Sequence, residues 1–162
     1  MGASHETSAF AVESIRRWWR GLGKKAHPSA SRVLICADAG GSNGHRRRGW
    51  KYHLQQLADE TGLSITVCHY PPGTSKWNKV EHRLFSHISL HWRGEPLESY
   101  ESVIQLIRTT KTRTGLKVKA EMDWDEYPLK QTITDEQMDR LNLTRHNYHP
   151  DWNYTLSPRG DP

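Results

Sequence analysis

An α/β layer with parallel strands is the architecture this sequence predicts, and three observations carry it. Two short apolar runs, "RVLICA" (32–37) and "LSITVCHY" (63–70), read as buried strands, the second rich in β-branched residues. Around them, apolar residues recur at helical spacing. The resulting order of helix, strand, helix, strand, helix, helix favours parallel strands joined by a helical crossover.

Each element carries its own signal. Ala11, Ile15, Trp18, Trp19 and Leu22 fall on one helical face, with Arg16, Arg17 and Arg20 on others. Gly21 to Gly23 are expected to end that helix. Val33 to Cys36 predict a strand buried on both faces. Trp50, Leu54, Leu57, Ala58 and Thr61 mark a second helix, stopped by Gly62. A third is predicted from Lys76 to Trp92, with Trp77, Val80, Leu84, Ile88 and His91 on one face and Arg93-Gly94-Glu95-Pro96 as its end. Tyr100, Val103, Ile104 and Ile107 define a fourth.

After Gly115 the character changes. "LKVKAEMD" alternates like a half-exposed strand, and Thr134 with Gln137 makes a capping box before a short helix. The stretch 144–162 reads as irregular and aromatic. The expected division is therefore a main domain over 1–115 and a C-terminal extension over 116–162. Two strands rarely make an independent sheet, so strands preceding residue 1 are expected to be missing.

Composition narrows the class. The chain of 162 residues carries a net charge of +5 and a pI near 9.3, which favours an anionic partner. An apolar fraction of 35% and a mean hydropathy of −0.84 are low, yet seven tryptophans supply large buried area. No apolar run approaches the roughly 20 residues needed to span a bilayer, and "MGASHETSAFAV" has neither signal-peptide nor convincing lipidation features. A soluble, intracellular chain is expected. Cys36 and Cys68 read as buried, reduced thiols.

Asp38 falls just past the carboxyl end of the first strand, where open α/β sheets place their working residues. Gly40, Gly41 and Gly44 then permit tight turns and close approach of a ligand. A strand that delivers a carboxylate beside a basic loop suggests metal and phosphate; a surface turn is the plainer alternative. Glu81 borders an apolar helix face, one position from Val80 and four from Trp77 and Phe85. If the two strands are parallel neighbours, Asp38 and Glu81 can converge as oxygen ligands for a divalent ion. Otherwise Glu81 is a surface glutamate beside Lys79 and Arg83.

Arg46, Arg47, Arg48 and Lys51 follow the glycine loop and are read as DNA phosphate contacts, a solvated face being the alternative. Arg108, Lys111, Arg113, Lys117 and Lys119 leave both readings open. His82, His87 and His91 read as packing or surface residues, because no cysteine or acid nearby completes a zinc set. "GGSNG" lacks the Lys-Ser/Thr of a P-loop and the spacing of a dinucleotide fingerprint. Trp18, Trp19, Trp50, Trp77 and Trp92 are expected in the core; Trp124 and Trp152 are left open.

These segments stand in a recognisable order. "FAVESIRRWW", "ADAGGSNG", "PPGTSKWNKVEHRLF" with Glu81 43 positions after Asp38, "HWRGEPLESYE" and "LNLTRHNYHPDWNYT" together cover nearly the whole chain. The set resembles the DDE transposases of bacterial insertion sequences, the Rhodopirellula-type family above all and the mariner-like group more distantly. The resemblance implies a ribonuclease H-like fold of the retroviral integrase superfamily. It also implies a three-carboxylate site holding two Mg2+ or Mn2+ ions, and metal-dependent DNA strand cleavage and strand transfer in transposition.

By position, Asp38 matches the family's second carboxylate, Glu81 its third, and Asn78 a residue common in the same turn. The family's first aspartate lies on a strand upstream of the first helix, and no aspartate precedes Asp38 here. The expectation is a truncated catalytic domain, lacking its first strands and inactive alone, with DNA as its partner. The alternative is a non-catalytic DNA-binding or regulatory fragment that associates with full-length transposase or with itself. The bacterial cytoplasm, on the nucleoid when DNA-bound, is the expected location.

Overall fold

The computed structural model describes residues 6–92, 94, 98–112 and 115–160. The helix end read at Arg93, Glu95 and Pro96, and Arg113 of the second basic stretch, lie outside the described residues. The elements are α1 (Ser8–Trp18), α2 (Lys24–Ala26), β1 (Arg32–Ala37), α3 (Arg48–Thr61), β2 (Ser64–His69), α4 (Ser86–His91), α5 (Tyr100–Thr109), α6 (Asp135–Asp139), β3 (Leu143–Arg145) and β4 (Asn153–Leu156). The chain divides into two compact units. Among the described residues, one comprises those from Glu6 to Pro72 together with those from Tyr127 onward; the other comprises those from Gly73 to Glu126.

The first unit contains a four-stranded sheet in the order β1-β2-β4-β3. β1 and β2 are parallel, with Val33 opposite Ile65, Ile35 opposite Val67 and Cys36 opposite Cys68. Helix α3 supplies the crossover that parallel neighbours need. It ends on Gly62, whose φ of +72° closes the helix in the left-handed cap that glycine adopts without strain. β4 then pairs antiparallel with β2, and β3 antiparallel with β4.

One sheet face makes the core. Ile65, Val67, Tyr154 and Leu156 pack with Val12 and Trp19 of the first helical segment and with Trp50, Leu54, Leu57 and Ala58 of α3. All of these are buried. On the opposite face Leu34 is 61% exposed, and Thr66 and Thr155 share a hydroxyl hydrogen bond at 2.9 Å.

Several local expectations are corrected. The first helix does not stop at Gly21–Gly23. It passes through a π-helical turn, Trp19–Gly23, and ends only at His27, just before Pro28, whose ring disfavours helical geometry in the preceding residue. The wider turn carries Trp19 into the core and leaves Trp18 and Leu22 each 45% exposed. Gly23 serves packing: a Cβ there would lie 2.6 Å from Cε3 of Trp19.

β1 is not buried on both faces. It is the edge strand, so Leu34 and Cys36 are exposed while Val33 and Ile35 are half-buried against the core. Cys36 is thus an exposed free thiol, and Cys68 a half-buried one.

The irregular tail is in fact where β3 and β4 form. Four residues, "NYTL", are too few to show a convincing alternation, but Tyr154 and Leu156 both point into the core. The segment 143–156 thus adds two strands to the sheet, beside β2.

In the second unit, the single predicted helix 76–92 is broken. A 3-10 turn (Ser75–Trp77) comes first, and a π-helical turn (Glu81–Phe85) leads into α4. Asn78 causes the break, since its Oδ1 accepts the Val80 N–H at 3.4 Å and acts as a cap. Trp77 is left 58% exposed, and Ile88 is the buried residue of α4. Helix α5 forms as expected behind the Ser99 cap and buries Ile104. The "LKVKAEMD" segment alternates half-buried and exposed positions up to Met122 but forms no strand; an isolated bridge joins Lys111 to Lys117, and the buried Asp123 takes a bridge position as well. Alternation prepares a segment for pairing, and a ladder still requires a neighbour.

Candidate functional site

In the sheet unit, Asp38 sits exposed at the carboxyl end of β1. Three backbone contacts fix the turn around it. The Tyr70 N–H donates to the Ala37 carbonyl at 2.8 Å, the His69 N–H donates to the Trp152 carbonyl at 3.0 Å, and the His69 ring meets the Asp38 carbonyl at 3.0 Å. A carbonyl only accepts, so His69 carries its proton on Nδ1. Its Nε2 then accepts from the Tyr154 hydroxyl at 3.2 Å. Burial favours this neutral form and holds the His69 imidazolium pKa below its ordinary value, with His45 and Lys51 adding to the effect and the Asp38 carbonyl opposing it.

The loop after Asp38 is built on glycine. Gly41 takes φ +69°, and a Cβ on Gly44 would sit 3.0 Å from the Ala39 carbonyl. His45 donates from Nδ1 to that same carbonyl at 3.3 Å, and Arg47 donates through Nε to the Gly41 carbonyl at 3.2 Å. The loop thereby delivers three exposed arginines to the start of α3. Among the described residues Arg46 has no ion pair. Arg48 is held by Asp135 at 2.5 Å and by the Ile133 carbonyl at 3.2 Å. Lys51 is placed differently: it is buried, with its ammonium 5.3 Å from the centre of the Tyr154 ring. Desolvation there, with Arg145 nearby, holds its pKa below the usual lysine value.

In the second unit, Glu81 opens the π-helical turn and is half-buried. Its N–H donates to the Asn78 carbonyl at 3.1 Å, so Asn78 organises the turn that presents the glutamate. His82 donates to the Lys76 carbonyl at 2.8 Å, and His91 meets Thr109 Oγ1 at 3.3 Å. The carboxylates of Asp38 and Glu81 take no hydrogen bond or ion pair among the described residues. Free, hard oxygen donors of this kind are the type that a magnesium-like ion takes. Among the described residues no group of three or more His, Cys, Asp or Glu side chains gathers where it could hold a metal.

Sequence reasoning missed His69. A signal for it existed: Ile65, Val67 and His69 alternate along β2, which turns the imidazole inward beside the end of β1. It also missed Lys130 and Gln131, which lie against the arginine loop although more than 80 residues away in sequence.

A mixed α/β unit with a four-stranded sheet, a strand-end aspartate and a basic loop is compatible with a ribonuclease H-like DDE fold. The family model described as the Rhodopirellula transposase DDE domain matches residues 1–158, and the chain belongs to that family. No curated protein and no solved structure matches it. The family is one of transposases, which act on DNA and normally use divalent metals. No helix among the described residues is long and apolar enough to cross a membrane.

Proposed function

We propose that this chain is the second part of a DDE transposase catalytic domain, in which Asp38 and Glu81 serve as two ligands of the metal site. The observation that carries the reading is the uncommitted Asp38 carboxylate at the end of a parallel strand, in a chain matched over residues 1–158 by a transposase DDE family. Asp38 and Glu81 would hold divalent ions, which when bound activate a water or 3′-hydroxyl and stabilise the leaving oxygen of a phosphodiester. Asn78 positions Glu81 by capping its turn, and His69 positions Asp38 through its carbonyl. Arg46 and Arg47 hold the DNA backbone.

The family's first carboxylate has no counterpart before Asp38 in these 162 residues. It would come from a polypeptide strand paired along the free edge of β1, in the family's full catalytic domain or in a partner copy. Residues 1–115 would then be the partial catalytic domain and 116–162 an extension that closes the sheet. Alone, the chain is inactive: two carboxylates hold a two-ion site poorly.

The test is a plasmid-nicking assay with Mg2+ or Mn2+. The expected result is DNA binding without cleavage. Metal-dependent cleavage abolished by Asp38→Asn would overturn the inactivity. Failure to bind DNA would overturn the transposase reading for this chain.

A second reading, a non-catalytic DNA-binding fragment that regulates full-length transposase, is favoured by Arg46 beside the loop, which has no ion pair among the described residues. Under it, Asp38→Asn restores nothing and removes nothing in any assay, whereas loss of Arg46 weakens DNA binding.

A further inference from the structure

We propose that a cleft of about 750 Å³ in the sheet unit, framed by the first turns of α1 and α3 and by the segment 128–133, binds a phosphodiester of a DNA strand. The assignment rests on the DNA reading above and gives it a location. Four cationic side chains line the cleft, Arg46, Arg47, Arg48 and Lys130, against a single carboxylate, that of Glu6. Glu6 is engaged by the Ser42 hydroxyl at 3.2 Å. Arg48 is engaged by Asp135 and acts as a brace. Among the described residues Arg46 and Lys130 have no ion pair, and Arg47 spends only its Nε on the Gly41 carbonyl. The cleft therefore holds a surplus of free positive charge.

Its walls are built to keep that charge in place. Lys130 has φ +56°, a conformation that a non-glycine residue adopts at some energetic cost. The segment that carries it is tied to α3 twice. His53 Nε2 meets Gln131 Oε1 at 2.8 Å, and Arg48 donates to the Ile133 carbonyl at 3.2 Å. The two helix starts also approach closely: a Cβ on Gly49 would lie 3.4 Å from the Ser8 Cβ. Neither helix has an acid in its first turn, and α3 has no side-chain cap, so the positive ends of both dipoles add to the field of the arginines. A volume of this size accepts a nucleotide-sized group. The surplus cations match the charge of a phosphodiester, and oxygen acceptors suit the guanidinium fork of Arg46 and Arg47.

The experiment is a fluorescence-anisotropy titration of the full chain with a labelled DNA duplex over a range of KCl concentrations. The variants are Arg46→Gln with Lys130→Gln and the charge-retaining pair Arg46→Lys with Lys130→Arg. Both cleft positions are exposed, so the variants fold. The double glutamine variant is expected to lose about tenfold or more in affinity, and the slope of log K against log salt to become shallower by about 2. The charge-retaining pair should stay within about threefold of the unaltered chain. Unchanged affinity and slope in the double glutamine variant overturn the cleft assignment and leave the DNA reading standing. Absence of DNA binding by the unaltered chain overturns both. In that case thermal stabilisation by inorganic phosphate, lost in the double variant, would assign the cleft to free anions instead.

Discussion

The imidazole of His69 joins the Asp38 carbonyl, at 3.0 Å, to the Tyr154 hydroxyl, at 3.2 Å. The end of β1, the end of β2 and the tail strand β4 are thereby linked through one buried side chain. His69→Ala removes both bonds and leaves a buried phenol and a carbonyl to find other partners. A loss of about 1–3 kcal/mol is expected in urea unfolding. Tyr154→Phe keeps the ring and the Lys51 cation over it and should cost only about 1 kcal/mol. The two effects should be non-additive in a double-mutant cycle. Strict additivity would show that the link contributes nothing.

Gly21 and Gly23, two residues apart, should respond in opposite directions. Nothing lies within 4 Å of a Cβ on Gly21, so Gly21→Ala should stabilise the chain by about 0.5–1 kcal/mol through helix propensity. Gly23→Ala drives a methyl into Trp19 and should cost about 1–3 kcal/mol. Thermal midpoints of the two variants decide it, and equal shifts in both would contradict the packing assigned to Gly23.

Asp59 anchors the end of the chain. It accepts from the Arg159 guanidinium at 2.6 Å, from the Arg159 N–H at 2.8 Å and from Gln55 at 2.8 Å. Partial burial pushes its pKa up, but the bonds from Arg159 and Gln55 outweigh this and hold it below the ordinary carboxylate value. A folded-state pKa below the unfolded one contributes stability above the unfolded value. That contribution fades as pH falls from about 3.8 through the depressed folded value. Glu60, bridged to Arg16 and Arg20, behaves in the same sense. Acid titration of the unfolding midpoint should show this loss, and Asp59→Asn should flatten it. An acid limb identical in the variant would rule Asp59 out as a contributor.

Asp38→Asn and Glu81→Gln should leave the unfolding free energy unchanged to within about 0.5 kcal/mol, because neither carboxylate is spent on a structural bond. Calorimetry of both variants checks this. A loss of several kcal/mol in either would mean that the residue is structural, and the metal-ligand assignment would fall with it.

The sequence made some of this legible because certain signals are local. The helix 48–61, its Gly62 stop and the Thr134–Gln137 capping box all depend on residues within a few positions of one another, and all form as read. The place of Asp38 just past a strand was legible because a strand end is marked by its own composition. What stayed hidden depends on distant partners. The exposure of Leu34 follows from which strand lies at the edge, and a run of apolar residues does not encode its neighbours. "NYTL" becomes a strand only because β2 is there to pair with it. Lys130 reaches the arginine loop only once α3 holds the segment 128–133.

The sheet order also fixes a sequence of events in folding. β2 meets β1 across a short crossover, but Ile65 must find Leu156, about 90 residues further along the chain. During synthesis the βαβ segment is made first and waits with one side of β2 unpaired. Until Asn153–Leu156 leave the ribosome, any other extended segment can take the place reserved for β4.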